Sequence, residues 1–184
     1  MQREMERQVF HLVFGTAIAV LILFLGRFYS LALFGLCIIT GIFISEVMHQ
    51  GIRLPVFYWF IRRMERDKVK PGQGTLNFLL GIFIALVFFS IDIVFVSVLI
   101  LAFADSFSTV VGKGIGSRRI YNKKSIEGFI AAFLASFLVT LPYLGAYVGL
   151  ITCFMASLTE LLTPVDDNIV IPPLASLIIY MLTL

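Results

Sequence analysis

Long apolar runs recur along almost the whole chain, and they constrain its fold more than any other feature. Seven runs cover residues 9–25, 29–45, 76–89, 91–111, 126–141, 143–162 and 168–184. About 17–25 apolar residues suffice for a helix to cross a hydrocarbon core of about 30 Å. Helices are expected because lipid-exposed backbone must satisfy its own hydrogen bonds. The sequence therefore predicts an all-α, polytopic integral membrane protein with about seven transmembrane helices.

The composition excludes an ordinary soluble domain. Hydrophobic residues make up 60% of the 184 residues and charged residues only 14%, whereas soluble domains are roughly 45–50% apolar. No block of the chain has a soluble composition. Residues 1–184 are therefore expected to form a single transmembrane domain.

The basic residues sort to one side of this predicted bundle. With the N-terminus in the cytoplasm, the cytoplasmic segments hold thirteen of the fourteen Lys and Arg residues, and the opposite side holds Arg27 alone. Cytoplasmic loops of membrane proteins are enriched in Lys and Arg. We therefore expect a cytoplasmic N-terminus and an external C-terminus. This distribution explains the basic character of the chain without a nucleic-acid partner.

The polar stretch between the second and third runs, residues 46–75, contains an amphipathic segment. Apolar residues, including Tyr58 and Trp59, precede the charged sequence RRMERDKVK. Aromatic side chains of this kind favour the headgroup region of a bilayer. We expect an interfacial amphipathic helix, acting either as a membrane-surface anchor or as a lid or lipid entrance.

Residues 104–129, ADSFSTVVGKGIGSRRIYNKKSIEGF, carry groups that suit phosphate chemistry. Asp105 lies near the end of the fourth run, and Glu127 begins the fifth. Between them lie five basic residues and three glycines at alternate positions, Gly112, Gly114 and Gly116. Glycine lets backbone N–H groups approach a phosphate closely, and Mg²⁺ is commonly shared between carboxylates and substrate phosphates.

Further acids gather at the same predicted face of the bundle. Glu160 ends the sixth run, and Asp166, Asp167 and Asn168 open the seventh. Each feature has an ordinary explanation alone: the acidic turn as a helix N-cap, the glycines as a flexible turn. Acids at the ends of membrane spans nevertheless mark functional sites. Together, these groups predict a Mg²⁺–polyphosphate site.

Four segments resemble motifs of the CTP-dependent lipid kinases, the family of dolichol kinase, phytol kinase and yeast-type diacylglycerol kinase, within a wider group that includes the phosphatidate cytidylyltransferases. ERQVFHLVFG is similar to the opening Arg-Lys-x-x-His-x-x-x-Gly, with Gln8 where lysine is usual. GQGTLNFLLG resembles the middle loop. Residues 104–128 resemble the core Asp-x-x-[Ala/Ser]-x-x-x-Gly…Gly…Lys-[Ser/Thr]-x-Glu-Gly, and ELLTPVDDNIVIP resembles the closing Glu…Asp-Asn-x-x-x-Pro.

The resemblance implies a catalytic domain that transfers the γ-phosphoryl group of CTP to the hydroxyl of a membrane isoprenoid or glycerolipid alcohol, as a polyprenol or dolichol kinase does. Its partners are then a nucleotide and a membrane lipid, its cofactor is Mg²⁺ or another divalent cation, and its active site faces the cytoplasm. The implied catalytic residues are Asp105, Lys124, Glu127 and His11. The implied metal ligands are Asp105, Glu160, Asp166 and Asp167. The implied nucleotide- and phosphate-binding residues are Ser108, Gly112, Lys113, Gly114, Gly116, Lys124, Ser125, Gly128 and Asn168.

Several roles stay open at this level. Glu127 either orients Lys124 or binds metal, and either His11 or a carboxylate accepts the proton of the lipid hydroxyl. A cytidylyltransferase would use the same CTP and metal but attack the α-phosphate to make a CDP-activated lipid. A small membrane transporter is the alternative of another class, although it would favour charges near the bilayer midplane and an internal repeat.

Overall fold

The computed structural model describes residues 2–52, 54, 55, 57, 70–117, 119–121 and 124–184. Within them, the elements in chain order are α1 (Gln2–His49), α2 (Gln73–Phe88), α3 (Ile91–Gly114), β1 (Arg119–Tyr121), β2 (Lys124–Ser125), α4 (Ile126–Leu162) and α5 (Asp167–Thr183). By length and composition, α1, α3 and α4 are long and apolar enough to cross a membrane, and α2 and α5 are shorter apolar helices. The prediction of a helical protein is confirmed, with one addition: β1 and β2 form a small antiparallel sheet.

Single glycines interrupt the two longest helices. Gly26 in α1 has φ 73° and ψ 170°, and Gly145 in α4 has φ 68° and ψ 175°. Glycine adopts a positive φ without the steric cost that other residues incur. The chain reverses at Gly145, because Thr140 Oγ1 before it and Cys153 Sγ after it lie 3.3 Å apart.

The contacts of α1 show that the chain also reverses at Gly26. In the first half of α1, Glu4 pairs with Lys113 at the end of α3, and Gly15 packs against Ala102 in the middle of α3. This half therefore runs antiparallel to α3. In the second half, Arg27 donates to the Val87 carbonyl at the end of α2, whereas Gly41 packs on Leu76 near its start. Because α2 runs parallel to α5 and α3 runs antiparallel to it, the two halves of α1 point in opposite directions. The described residues therefore form seven helical segments.

The break in α4 differs from the sequence expectation of separate runs 126–141 and 143–162, whose boundary is Pro142. The helix continues through Pro142 and breaks three residues later. Proline removes one backbone donor but holds φ near the helical value, so it bends a helix without reversing it. The reversal needs the positive φ of Gly145. The expected break at Gly26 is confirmed.

Helix α3 forms the centre of the bundle. Its residues 94–102 are buried without interruption, and it packs against α1, α4 and α5. A helix that is apolar on all sides is typical of such an inner position. Because α3 is held on several sides, the polar residues near its C-terminal end are fixed relative to the neighbouring helices.

The connections at this end depart from the prediction in one respect. Helix α3 runs past the expected end of the fourth span, so Gly112 and Gly114 belong to its last turn and only Gly116 follows it. The segment expected as a glycine-rich loop is therefore largely helix and hairpin. Most of the predicted interfacial helix, residues 58–69, lies outside the described residues, as do Arg118 and Lys123.

Candidate active site

Three carboxylates from three helices meet at one end of the bundle. Asp105 comes from α3, Glu160 from the last turn of α4 and Asp167 from the first turn of α5. One carboxylate oxygen from each lies within 4.8 Å of the other two. Asp105 and Glu160 are only 5% and 3% exposed. The short connection from α4 to α5 explains why Glu160 and Asp167 are neighbours.

Lys124 provides a positive charge to this cluster. Its Nζ lies 2.7 Å from Glu160 Oε1 and 3.5 Å from Asp167 Oδ2, and it donates to the Glu160 backbone carbonyl. Burial favours the neutral form of the lysine, but the attraction of Glu160 and Asp167 outweighs it, so the pKa of Lys124 is raised above its ordinary value. Lys124 is therefore charged at neutral pH.

The cluster holds more negative than positive charge. Burial and repulsion from Asp105 raise the pKa of Asp167, which precedes the predicted span 168–184, to about 7. Three carboxylates and the one ammonium of Lys124 leave two uncompensated charges when all are ionised. Closely spaced carboxylate oxygens are the ligands that Mg²⁺ prefers. The donor set of Asp105, Glu160 and Asp167 therefore fits a divalent cation in both chemistry and charge.

Two of the predicted site residues, Ser108 and His11, lie next to the carboxylates. Ser108 Oγ donates to Glu160 Oε1 at 3.0 Å, so Ser108 orients a carboxylate. His11 Nε2 lies 3.6 Å from Asp105 Oδ2, and its ring packs edge-on against Phe78 of α2. This nitrogen has no hydrogen-bond partner among the described residues. The imidazole is therefore placed to exchange a proton beside the cluster.

Three glycines, Gly112, Gly116 and Gly128, pack tightly around the Ser125 hydroxyl. Ser125 Oγ accepts from Gly128 N at 3.1 Å and caps the N-terminus of α4. A Cβ added to Gly112 would lie 3.1 Å from this oxygen, and one added to Gly116 would lie 2.5 Å from it. A Cβ on Gly128 would lie 2.7 Å from the Ser108 carbonyl. This packing seats β2, and with it Lys124, against α3.

These contacts give Gly112, Gly116, Gly128 and Ser125 a packing role, and the expectation that they line a phosphate cradle stays a prediction. In the structure, these residues fill the junction between α3, the hairpin and α4. The Gly128 N–H donates to Ser125 Oγ, whereas a phosphate cradle needs open N–H groups. Gly114 differs, because a Cβ there would meet nothing within 4 Å.

Lys113 and Glu127 contact groups other than those expected. Lys113 Nζ lies 2.9 Å from Glu4 Oε1 in a pair that joins the ends of α3 and α1. Glu127 Oε1 accepts hydrogen bonds from Ser117 N at 3.2 Å and Ser117 Oγ at 2.7 Å. Glu127 therefore holds the segment that follows α3, and its role toward Lys124 or a metal stays a prediction.

The turn that opens α5 directs the side chains of two adjacent aspartates toward different partners. Asp167 points into the cluster, whereas Asp166 caps the helix: its Oδ1 accepts from Asn168 N at 3.1 Å and from Asn168 Nδ2 at 2.9 Å. Its Oδ2 accepts from Asn77 Nδ2 at 3.0 Å. Asp166 is thus not a member of the group of three close carboxylates, and its carboxylate accepts from three donors. Its role as a metal ligand stays a prediction that this arrangement does not favour.

Comparison with known proteins finds a relative that matches almost the whole chain. The uncharacterized protein MJ1137 of Methanocaldococcus jannaschii is 30% identical over 181 residues, which cover 96% of this chain and 93% of MJ1137. The chain belongs to the family of MJ1137. No family model matches the chain, and no solved structure matches it.

More distant relatives are lipid kinases. CTP-dependent diacylglycerol kinase 1 of Eremothecium gossypii is 25% identical over 173 residues, which cover 80% of this chain and 48% of the kinase. The protein of the same name from Schizosaccharomyces pombe is 24% identical over 140 residues, which cover 65% of this chain and 64% of the kinase. The chain thus spans less than two thirds of either kinase. This distant homology supports the resemblance to CTP-dependent lipid kinases.

Sequence reasoning missed two contacts that shape the site. The signal that identifies Asn77 is its place in an apolar helix, where a polar side chain marks function. Glu4 pairs with both Lys113 and Arg7. No local pattern indicates that pairing, because it depends on how the ends of α1 and α3 meet.

Proposed function

We propose that the chain is a CTP-dependent lipid kinase, which transfers the γ-phosphoryl group of CTP to the hydroxyl of a membrane glycerolipid or isoprenoid alcohol. The observation that carries this proposal is the convergence of Asp105, Glu160, Asp167 and Lys124 at the end of an apolar helical bundle. The relatives named CTP-dependent diacylglycerol kinase support the nucleotide and the lipid class. Polyprenol or dolichol specificity rests on the motif resemblance alone.

In this proposal, Asp105, Glu160 and Asp167 hold Mg²⁺. The bound cation would neutralise charge on the nucleotide phosphates during transfer. Lys124 binds phosphate oxygens, and Ser108 keeps Glu160 oriented. Because phosphoryl transfer depends mainly on positioning and charge stabilisation, a rigid cluster of this kind supplies what the reaction needs.

The lipid hydroxyl approaches from the side of His11. Its oxygen forms a bond to the γ-phosphorus while the bond from that phosphorus to the bridging oxygen breaks and CDP leaves. The hydroxyl proton passes to His11 Nε2. We assign this role to His11 because the three carboxylates are committed to the cation and Lys124, whereas this nitrogen accepts no hydrogen bond from the described residues.

We further propose that all seven helical segments cross the membrane, with the carboxylate cluster on the cytoplasmic face. The reversals at Gly26 and Gly145 support this arrangement, since they turn α1 and α4 into pairs of antiparallel helices. The distribution of Lys and Arg along the sequence supports the orientation.

Labelled nucleotides test the proposed reaction. Purified protein in detergent micelles or vesicles is given CTP labelled at the γ- or the α-phosphate, with diacylglycerol, a polyprenol or phosphatidate as acceptor. We expect the γ-label, and not the α-label, to appear in an alcohol acceptor in a Mg²⁺-dependent manner. Transfer of the α-label to phosphatidate would identify a cytidylyltransferase instead. Absence of both transfers from folded protein that binds Mg²⁺ would overturn the proposal.

A further inference from the structure

Helix α2 contributes no acid to the site, yet it is packed directly on the acidic turn of α5. The Asn77 amide donates to Asp166 Oδ2 at 3.0 Å, across 89 positions of sequence. One helical turn later, Gly81 lies so close to α5 that an added Cβ would overlap the Asn168 backbone carbonyl. Asn77 and Gly81 are four residues apart and share one face of α2, so this face fixes the turn.

The Asn77 hydrogen bond acts on a carboxylate next to a metal ligand. Asp166 and Asp167 are adjacent, and only Asp167 belongs to the group of three carboxylates. The cap bonds to Asn168 occupy Asp166 Oδ1, and Asn77 occupies Oδ2. Together, these donors hold the Asp166 carboxylate toward α2 and leave the Asp167 side chain toward α3 and α4.

We propose that Asn77 is a positioning residue for the metal site: by donating to Asp166, it fixes the first turn of α5 so that Asp167 completes the carboxylate group. This inference rests on the proposed metal-dependent function. Residues that support metal ligands through hydrogen bonds typically change metal affinity by 10–100-fold when they are removed. Asn77 touches no proposed metal ligand itself and acts through the Asp166–Asp167 turn.

Binding of Mn²⁺ alone tests the inference without CTP or lipid. Electron paramagnetic resonance measures free Mn²⁺ during titration of the purified full chain and of the variants Asn77→Ala and Asn77→Asp. The matched control is Thr75→Ala, which changes an exposed side chain on the same helix. We expect the Kd for Mn²⁺ to rise about 10-fold or more in both Asn77 variants, and less than twofold in the control. Melting temperatures without metal should stay close to that of the wild type.

The other outcomes of the Mn²⁺ titration contradict the inference. Wild-type affinity in either Asn77 variant would show that the hydrogen bond does not position the site. Tighter binding by Asn77→Asp would make this position a ligand site, and loss of folded protein in both variants would make Asn77 a purely structural residue. Absence of Mn²⁺ binding by the wild type would remove the site that Asn77 serves. Wild-type protein that binds Mn²⁺ but transfers no phosphate would defeat the kinase proposal only.

Discussion

Alanine substitutions at the three alternating glycines distinguish packing from phosphate binding. A Cβ at Gly116 would overlap the Gly112 carbonyl and lie 2.5 Å from Ser125 Oγ, a Cβ at Gly112 would lie 3.1 Å from the same oxygen, and one at Gly114 would meet nothing within 4 Å. If packing is their role, the loss of stability and of kcat on substitution by alanine should decrease in the order Gly116, Gly112, Gly114. If the backbone of all three binds phosphate, Gly114→Ala should be as harmful as the others.

The magnitudes follow from these contacts. Overpacking of a filled junction costs about 1–3 kcal/mol, which applies to Gly116→Ala. Gly114 is the last residue of α3, and glycine in a helix is roughly 0.5–1 kcal/mol less favourable than alanine. Gly114→Ala should therefore stabilise the protein by about 0.5 kcal/mol. The gap of about 1.5–3.5 kcal/mol corresponds to roughly 3–14 °C in melting temperature for a chain of this length.

The effect on catalysis should exceed the effect on stability. A side chain at Gly116 displaces Ser125, whose neighbour Lys124 places its Nζ 2.7 Å from Glu160. A displacement of about 1 Å in a catalytic group lowers rates by about 100-fold. We expect Gly116→Ala to lose about 100-fold in kcat, Gly112→Ala less and Gly114→Ala almost nothing. Thermal melting in detergent measures the effect on stability, and transfer of the γ-label from CTP measures the effect on kcat. Equal losses at Gly114 and Gly116 would refute the packing explanation.

Three further predictions concern charge and orientation. Asp105→Asn or Asp167→Asn should lower turnover by orders of magnitude in protein that still folds, because each removes a negative charge from the metal site; near-normal turnover would exclude that residue. Lys124→Met should lower kcat far more than Lys113→Met, since only Lys124 reaches the carboxylates; steady-state kinetics with equal, mild losses would contradict this. In a cysteine-free background, Gly114→Cys and a C-terminal cysteine should react with impermeant thiol reagents from opposite sides; labelling from one side would contradict seven spans.

The sequence was sufficient to predict that the chain is helical and that Asp105, Glu160 and Asp167 lie close together. Apolar runs of spanning length have few alternatives to helix, and acids at their ends must gather at a common face if successive helices alternate in direction. This reasoning is enough to bring Asp105, Glu160 and Asp167 together. Lys124 follows because its segment joins α3 to α4.

The sequence could not distinguish residues whose roles depend on packing. Asp166 and Asp167 are identical neighbours, and only the geometry of the helix start makes one a cap and the other a member of the cluster. Likewise, the sequence places Gly112 and Gly116 in a phosphate-loop pattern but does not show that both pack against the Ser125 hydroxyl. Such assignments require the distances between segments, which local patterns do not encode.

The turns at Gly26 and Gly145 have a consequence for how this protein is controlled. At the end of the bundle away from the carboxylates, the chain reverses at these glycines and at residues 89–90, within one or two residues each. Turns this short leave little backbone for a protease or a binding partner. The longer connections, from α1 to α2 and from α3 to α4, join helix ends on the side of the carboxylates. A partner that binds connections between helices is therefore expected on that side, where the proposed CTP site also lies.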